Sequence, residues 1–331
     1  MLIDMSLEDL RAYRPDRVES GDFDEFWAKT LDAARSAAVP PQLTEVETGL
    51  IHVDTFDMTF SGYQGEPIKG WLRVPKHASG PLPVVLEYLG YGGGRGPAVE
   101  PTIWSSLGYA HMIMDSRGQS SYYGSADTPD GDVEPQVGGV MTRGIGAPGS
   151  YYYRRLYTDA AMAVDALRQL PAVDGQRVVV KGGSQGGGLA IAAAGLSSGL
   201  AGAIVDVPFL CGFRRATQIS NEYPYREIAD YLQYRRDRVA QVFTTLGYFD
   251  GVNLAARATA PTLFSTALMD SVCPPSTVFA AFNHWAGDDK RIQVYEYNGH
   301  DGGATYQLRE QILFLTRVTG GPVTRGDQRA R

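Results

Sequence analysis

Apolar residues recur along this chain in two different periods. Residues 51 to 60 (IHVDTFDMTF) alternate apolar and polar, and residues 67 to 74 (PIKGWLRV) follow across SGYQG, which predicts an antiparallel hairpin. Further on come short, nearly continuous apolar runs: PVVLEYLG (83 to 90), YAHMIMDS (109 to 116), RVVVKGGS (177 to 184), GAIVDVPF (202 to 209), APTLFSTALMD (260 to 270) and RIQVYEYN (291 to 298). Helical patterns fall at 151 to 170, 185 to 198, 276 to 286 and 305 to 318. Short apolar strands separated by helices are buried on both faces in parallel sheets. The predicted fold class is therefore α/β, a mostly parallel, doubly wound sheet with an N-terminal antiparallel edge and helical insertions.

Three stretches depart from this rhythm. Between Leu7 and Ala38 the spacing of Leu10, Phe23, Phe26, Trp27 and Leu31 among charges predicts short amphipathic helices, ended by Pro40 and Pro41, so residues 1 to 40 read as an N-terminal helical cover. Residues 120 to 150 are rich in Gly, Pro and Asp, and an insertion loop of that length in a compact domain is usually functional or an interaction element. Residues 211 to 246, dense in Tyr and Arg, read as a helical insertion above the sheet. Residues 1 to 331 are expected to form a single domain, because one large open sheet often occupies this length.

Charge and composition narrow the function. The formal net charge of -7 leaves no basic footprint, so no nucleic acid and no membrane partner is expected. Acidic residues near the start take the place of the bases of an export signal, and no apolar run reaches 18 residues. The expected compartment is cytoplasmic. Cys211 and Cys273 are too few for a disulfide framework and read as buried small hydrophobes. With no H-E-x-x-H, no C-x-x-C and no close His pair, no metal and no cofactor is expected.

The strand RVVV runs into GGSQGG and then into the small-residue segment GLAIAAAGL, so Gly182, Ser184 and Gly186 fit G-x-S-x-G at a strand-to-helix turn. The same residues also read as a plain glycine-rich turn, but the strand before and the helix after favour a nucleophile elbow. A serine needs a histidine base, itself held by a carboxylate, and open α/β sheets place such groups at the carboxyl ends of strands. Asp270, at the end of TLFSTALMD, and His300, in the turn NGHDGG after a late strand, meet that requirement. His52, His77 and His111 precede the nucleophile, and His284 falls inside a helical pattern. Asp250 ends no clear strand, and Asp206 sits within an apolar run, where a salt-bridged or capping role is the alternative. An oxyanion needs two backbone N–H donors, and these are expected from Gln185 and from Tyr91 in the loop GYGGGRG. That loop lacks the lysine and spacing of a phosphate cradle. Tyr151 to Tyr153 read as packing. The fold expected from these features is the α/β-hydrolase fold.

Taken together, GYGGGRG (90 to 96), DSRGQSS (115 to 121), GGSQGGG (182 to 188), VPFLCGF (207 to 213), LMDSVCPPST (268 to 277) and GHDGG (299 to 303) resemble carbohydrate esterase family seven, the acetyl xylan esterases and cephalosporin C deacetylases. The resemblance implies a serine esterase with Ser184, Asp270 and His300 as triad and Tyr91 and Gln185 as oxyanion donors. It implies that Arg117, Gly118 and Gln119 are structural residues near the site. Asp301 stands where the family usually has Glu, which would shift any ion pair with Arg117. The implied substrate is a small acetylated carbohydrate, with cephalosporin C as a further one, and the implied assembly is a homohexamer with 120 to 150 at the interface. A general short-chain carboxylesterase, a prolyl oligopeptidase-type peptidase and a catalytically inactive binding protein are the competing readings.

Overall fold

The structure, a computed structural model, describes residues 4–121 and 124–321. Residues 1–3 and 322–331 of the expected single domain, and residues 122–123 of the expected insertion loop, lie outside the described residues. Nine strands form one sheet among the described residues: β1 Gln42–Val46, β2 Val53–Ser61, β3 Pro67–Pro75, β4 Leu82–Tyr88, β5 Ala110–Met114, β6 Val173–Gly183, β7 Gly202–Asp206, β8 Thr262–Ala267 and β9 Lys290–Tyr295. Their order across the sheet is β1-β2-β3-β5-β4-β6-β7-β8-β9. From β1 to β5 neighbouring strands pair antiparallel, and from β5 onward every pairing is parallel.

The division follows from the residues. In β2, where side chains alternate between the faces, Val53 and Thr55 are buried on one side and Met58 and Phe60 on the other, with Asp54, Phe56, Asp57 and Thr59 half-buried between them. In β4 and β5, Val84, Val85, Leu86, Ala110 and Met112 are fully buried, because helices cover both faces. Burial of each such Val or Leu contributes at most about 1.5 to 3 kcal/mol. The helices Tyr152–Leu167 and Gln185–Leu196 are buried along nearly their whole lengths. Ala, Gly and Leu in the second let it lie close against β6 and β7.

Two boundaries differ from the sequence expectation. The sheet begins at β1, earlier than residue 51, and β1 is an edge strand with four of its five residues exposed, so no burial pattern marks it. β8 ends at Ala267, which leaves Asp270 three residues beyond the strand in a turn closed by Asp270 N–H donating to Ala267 O at 3.2 Å. In the helix Phe23–Ala37, Trp27 packs on Tyr157 and Phe249 and donates from Nε1 to Tyr248 O at 2.9 Å. The segment 211 to 246 forms the helices Phe213–Ile219, Tyr225–Tyr234 and Val239–Gly247.

Candidate active site

The parallel strands end at one edge of the sheet, and three loops there carry Ser184, Asp270 and His300. Ser184 follows β6 and precedes the helix Gln185–Leu196 with φ +56°, in the positive-φ half of φ/ψ space that a residue with a side chain rarely enters. Sterics explain the glycines around it. A Cβ on Gly182 would lie 2.2 Å from the Gly186 carbonyl carbon, and a Cβ on Gly186 would lie 2.1 Å from Tyr88 O. The turn is anchored by Ser184 N–H donating to Asp206 O at 3.0 Å and by Phe209 N–H donating to Ser184 O at 2.9 Å.

A continuous hydrogen-bond chain starts at that serine. His300 Nε2 lies 3.0 Å from Ser184 Oγ, and His300 Nδ1 lies 2.8 Å from Asp270 Oδ2. The other Asp270 oxygen accepts from Val272 N–H and Cys273 N–H, both at 2.9 Å, so the fully buried carboxylate is aimed at the imidazole by its own turn. His300 is about one third exposed, which leaves the ring open to solvent at its outer edge.

The other histidines and aspartates sit elsewhere. His111 is buried on β5 with Nε2 2.9 Å from a Glu87 oxygen, and His284 Nε2 is 2.7 Å from Pro15 O. His52 and His77 are exposed. Asp250 caps the helix Gly251–Ala255, accepting from Val252, Gly212 and Phe213 N–H. Asp206 accepts from Ser265 and from the amides of Gln307 and Gln311. Burial raises both carboxyls above their ordinary values.

Gln119 joins the loop at 90 to 96 to the serine turn. Its Oε1 accepts from Gly92 N–H at 2.7 Å, and its Nε2 donates to Gln185 Oε1 at 2.9 Å and to Tyr152 Oη at 2.8 Å. Tyr153 Oη donates to the same Gln185 oxygen at 2.9 Å. Tyr91 is tied from its other end, its hydroxyl donating to Glu227 Oε1 at 2.6 Å and accepting from Val140 N–H. Burial and the Glu227 charge push the Tyr91 phenol well above its ordinary range.

Arg117 lies one step further out. Its Nη2 donates to Asp159 Oδ1 at 2.7 Å, its Nη1 pairs with Glu66, and Asp130 lies 3.6 Å away. Burial opposes its charge, but Asp159 and Glu66 outweigh burial and hold the guanidinium more firmly protonated than usual. Asp301 plays no part in that cluster: it accepts from Asn298 Nδ2 at 2.8 Å and from Gly299 N–H at 3.1 Å, bracing the histidine's own turn. The shorter arm of Asp301 thus serves a local bracket and not an ion pair with Arg117. Gly118, at φ +64°, turns the chain between Arg117 and Gln119, and a Cβ there would meet Asp130 Cβ at 2.8 Å.

Sequence reasoning missed Glu66, Asp159 and Glu227. All three act across separations of 42 to 136 residues, and no local pattern marks them. Tyr151 to Tyr153 are fully buried, and the hydroxyl contacts of Tyr152 and Tyr153 add a second role to their packing.

A serine, a histidine and a buried aspartate in one hydrogen-bond chain at the carboxyl edge of a mostly parallel sheet define the α/β-hydrolase class. Within it, the acetyl xylan esterase (AXE1) family matches residues 1–318, and the chain belongs to that family. Acetyl esterase Axe7A of Xylanibacter ruminicola is 30% identical over 283 residues, 79% of this chain and 59% of that protein, so the chain spans about three fifths of that relative's length. The solved acetyl xylan esterase from Paenibacillus sp. R4 superposes with a TM-score of 0.87 at 40% identity, covering 95% of this chain and 99% of that one. Acetyl xylan esterase 1 from Thermoanaerobacterium sp. JW/SL YS485 gives 0.86 at 33% identity, with the same coverages.

Proposed function

We propose that this chain is a serine esterase that removes O-acetyl groups from small acetylated carbohydrates, acetylated xylo-oligosaccharides foremost. The observation that carries the reading is the 3.0 Å and 2.8 Å chain from Ser184 through His300 to Asp270. Ser184 Oγ attacks the acetyl carbonyl while His300 Nε2 takes its proton, and Asp270 steadies the imidazolium. The oxyanion forms against the N–H groups of Tyr91 and Gln185, with the N-terminus of the helix Gln185–Leu196 behind it. His300 then gives its proton to the departing sugar oxygen. Water, activated by the same nitrogen, releases acetate and restores the serine.

The test is the ratio of kcat/KM for an acetylated xylo-oligosaccharide against p-nitrophenyl octanoate. Strong preference for the acetyl sugar is expected. Preference for octanoate would keep the triad and make the chain a general carboxylesterase, and failure of Ser184 to label with a fluorophosphonate would overturn the enzymatic reading altogether.

Three finer statements belong to the same proposal and rest on the family. The acetyl group of cephalosporin C is a second substrate. The assembly is a homohexamer, with residues 120 to 150 at the interface, where it narrows access and favours short oligosaccharides over polymeric xylan. The working compartment is the cytoplasm, where the free thiols of Cys211 and Cys273 stay reduced. A monomer by sedimentation that cleaves polymer as fast as oligomer would overturn the second.

A further inference from the structure

Among the described residues, one group of three side chains brings metal-binding atoms together, and it overlaps the triad. A carboxylate oxygen of Asp270, the Sγ of Cys273 and a ring nitrogen of His300 all lie within 4.8 Å of one another. Asp270 and Cys273 are fully buried, and the partly exposed His300 ring forms the solvent side of the group. Cys273 is held beside the carboxylate by its own N–H, which donates to Asp270 Oδ1 at 2.9 Å.

Thiolate, imidazole and carboxylate are the donors of Zn²⁺ sites, whereas Mg²⁺ and Ca²⁺ require oxygen. Ligand atoms at about 2.0 to 2.3 Å from a tetrahedral Zn²⁺ stand roughly 3.3 to 3.8 Å apart. His300 Nδ1 and Asp270 Oδ2, 2.8 Å apart, would have to open by about 0.5 Å to admit the ion while Cys273 Sγ swings in towards them, movements within reach of side-chain rotation at Cys273 and His300 while the Asp270 turn stays fixed.

We infer that Asp270, Cys273 and His300 form an inhibitory site for a thiophilic divalent cation, Zn²⁺ above all, so that the metal switches the hydrolytic centre off. The inference rests on the esterase reading for its consequence, but not for the binding itself. The bonds that form run from the metal to Cys273 Sγ, His300 Nδ1 and Asp270 Oδ2. The thiol proton goes to solvent, and the single imidazole proton moves to Nε2. Nε2–H then points at Ser184 Oγ as a donor and has no lone pair with which to accept the serine proton. Metal binding and general-base catalysis exclude each other at this ring.

The experiment uses the full chain freed of metal, titrated with ZnCl₂ during hydrolysis of p-nitrophenyl acetate, with each variant scored against its own metal-free rate. Zn²⁺ is expected to inhibit reversibly, EDTA to restore the rate, and Mg²⁺ or Ca²⁺ to have no effect. Cys273→Ser, and Cys273→Ala as a second replacement, should each need about tenfold more Zn²⁺ or beyond for the same inhibition. A second readout needs no activity: Ser184→Ala loaded with Co²⁺ should bind one ion per chain and show a thiolate-to-cobalt absorption band that Ser184→Ala/Cys273→Ser lacks. Unchanged Zn²⁺ sensitivity in both Cys273 variants, or cobalt binding without the thiolate band, would overturn the inference. If Ser184→Ala retains esterase activity, the triad reading fails instead, and the cobalt band still decides the metal site.

Discussion

The serine turn and the Arg117 cluster lie on either side of Gln119 and are built by opposite means. At the turn, residues 182 to 188 hold Ser184 at φ +56° through backbone contact alone, where two glycines stand because carbonyl groups occupy the space a Cβ would need. Around Arg117, space is filled by charge. Asp159, Glu66 and Asp130 converge on one fully buried guanidinium from distant parts of the chain. The first construction fixes where one oxygen sits. The second fixes how the insertion and the neighbouring loop sit on the sheet, and it meets the chemistry through Gln119 and Tyr152, whose hydroxyl donates to Arg117 O.

Damage on the two sides should therefore separate into lost rate and lost stability. The largest effect belongs to the serine. Ser184→Ala should lower turnover of an aryl acetate by about 10⁴- to 10⁶-fold, with a melting temperature within a few degrees of the parent. Steady-state kinetics beside a thermal melt check both halves, and a large fall in melting temperature would mean that the hydroxyl is a structural member of the turn.

Arg117→Leu should behave in the reverse sense. It leaves the fully buried Asp159 carboxylate without its guanidinium, and breaking a buried pair from one side costs about 3 to 5 kcal/mol. The urea midpoint should fall accordingly, while the fraction still folded keeps most of its kcat. Arg117→Lys retains a charge but cannot reproduce the two-pronged contact with Asp159, so it should fall between the two. A loss of rate without a loss of stability would place Arg117 in the chemistry.

Gln119→Leu tests the joint itself. Removing its amide leaves Gly92 N–H buried without an acceptor and frees the 90 to 96 loop from Gln185, so both readouts should move. The expected stability loss is about 1 to 3 kcal/mol. The expected fall in kcat is about 10- to 100-fold, with KM little changed, since the two peptide donors then hold the oxyanion less well. A change confined to KM would place Gln119 in substrate binding.

The same contrast explains what could be read from the chain beforehand. The serine turn was legible because its steric demands recur at fixed offsets: strand, glycine, serine, glycine, helix. Asp270 and His300 were legible by the order of strands, although the aspartate sits three residues past the end of β8 and not at its tip. Glu227, 136 residues from the Tyr91 hydroxyl it anchors, carries no local mark. Asp159 sits in a helix whose apolar period accounts for its neighbours but not for a buried carboxylate. Cys273 did carry a mark, three residues after Asp270, but a buried cysteine in an apolar context looks the same whether it packs a core or faces a histidine. Local sterics leave a trace in sequence, and long-range charge pairing does not.

The smallest expected effect asks whether buried charge elsewhere behaves as it does around Arg117. Glu87 on β4 meets His111 on β5 at 2.9 Å and Lys181 on β6 at 2.7 Å, within the sheet. Burial alone would raise the Glu87 carboxyl, but Lys181 and His111 together outweigh burial and hold it far below its ordinary value of 4.5. Because the folded-state value is lowered, the unfolded chain binds the proton first as acid is added. The stabilisation is therefore complete above about pH 4.5 and is lost as pH falls below it, at no more than about 1.4 kcal/mol per pH unit for this one group. Melting temperatures between about pH 3 and pH 6 should show that slope in the parent and a shallower one in Glu87→Gln. Esterase activity per folded molecule at neutral pH should be the same in both, because the Glu87 side chain makes its hydrogen bonds to His111 and Lys181 and not to Gln119 or the serine turn. If Glu87→Gln changes the rate while leaving the acid slope intact, charge buried in the sheet reaches the site by some route other than Gln119, and the division between a backbone-built turn and a charge-built support no longer holds.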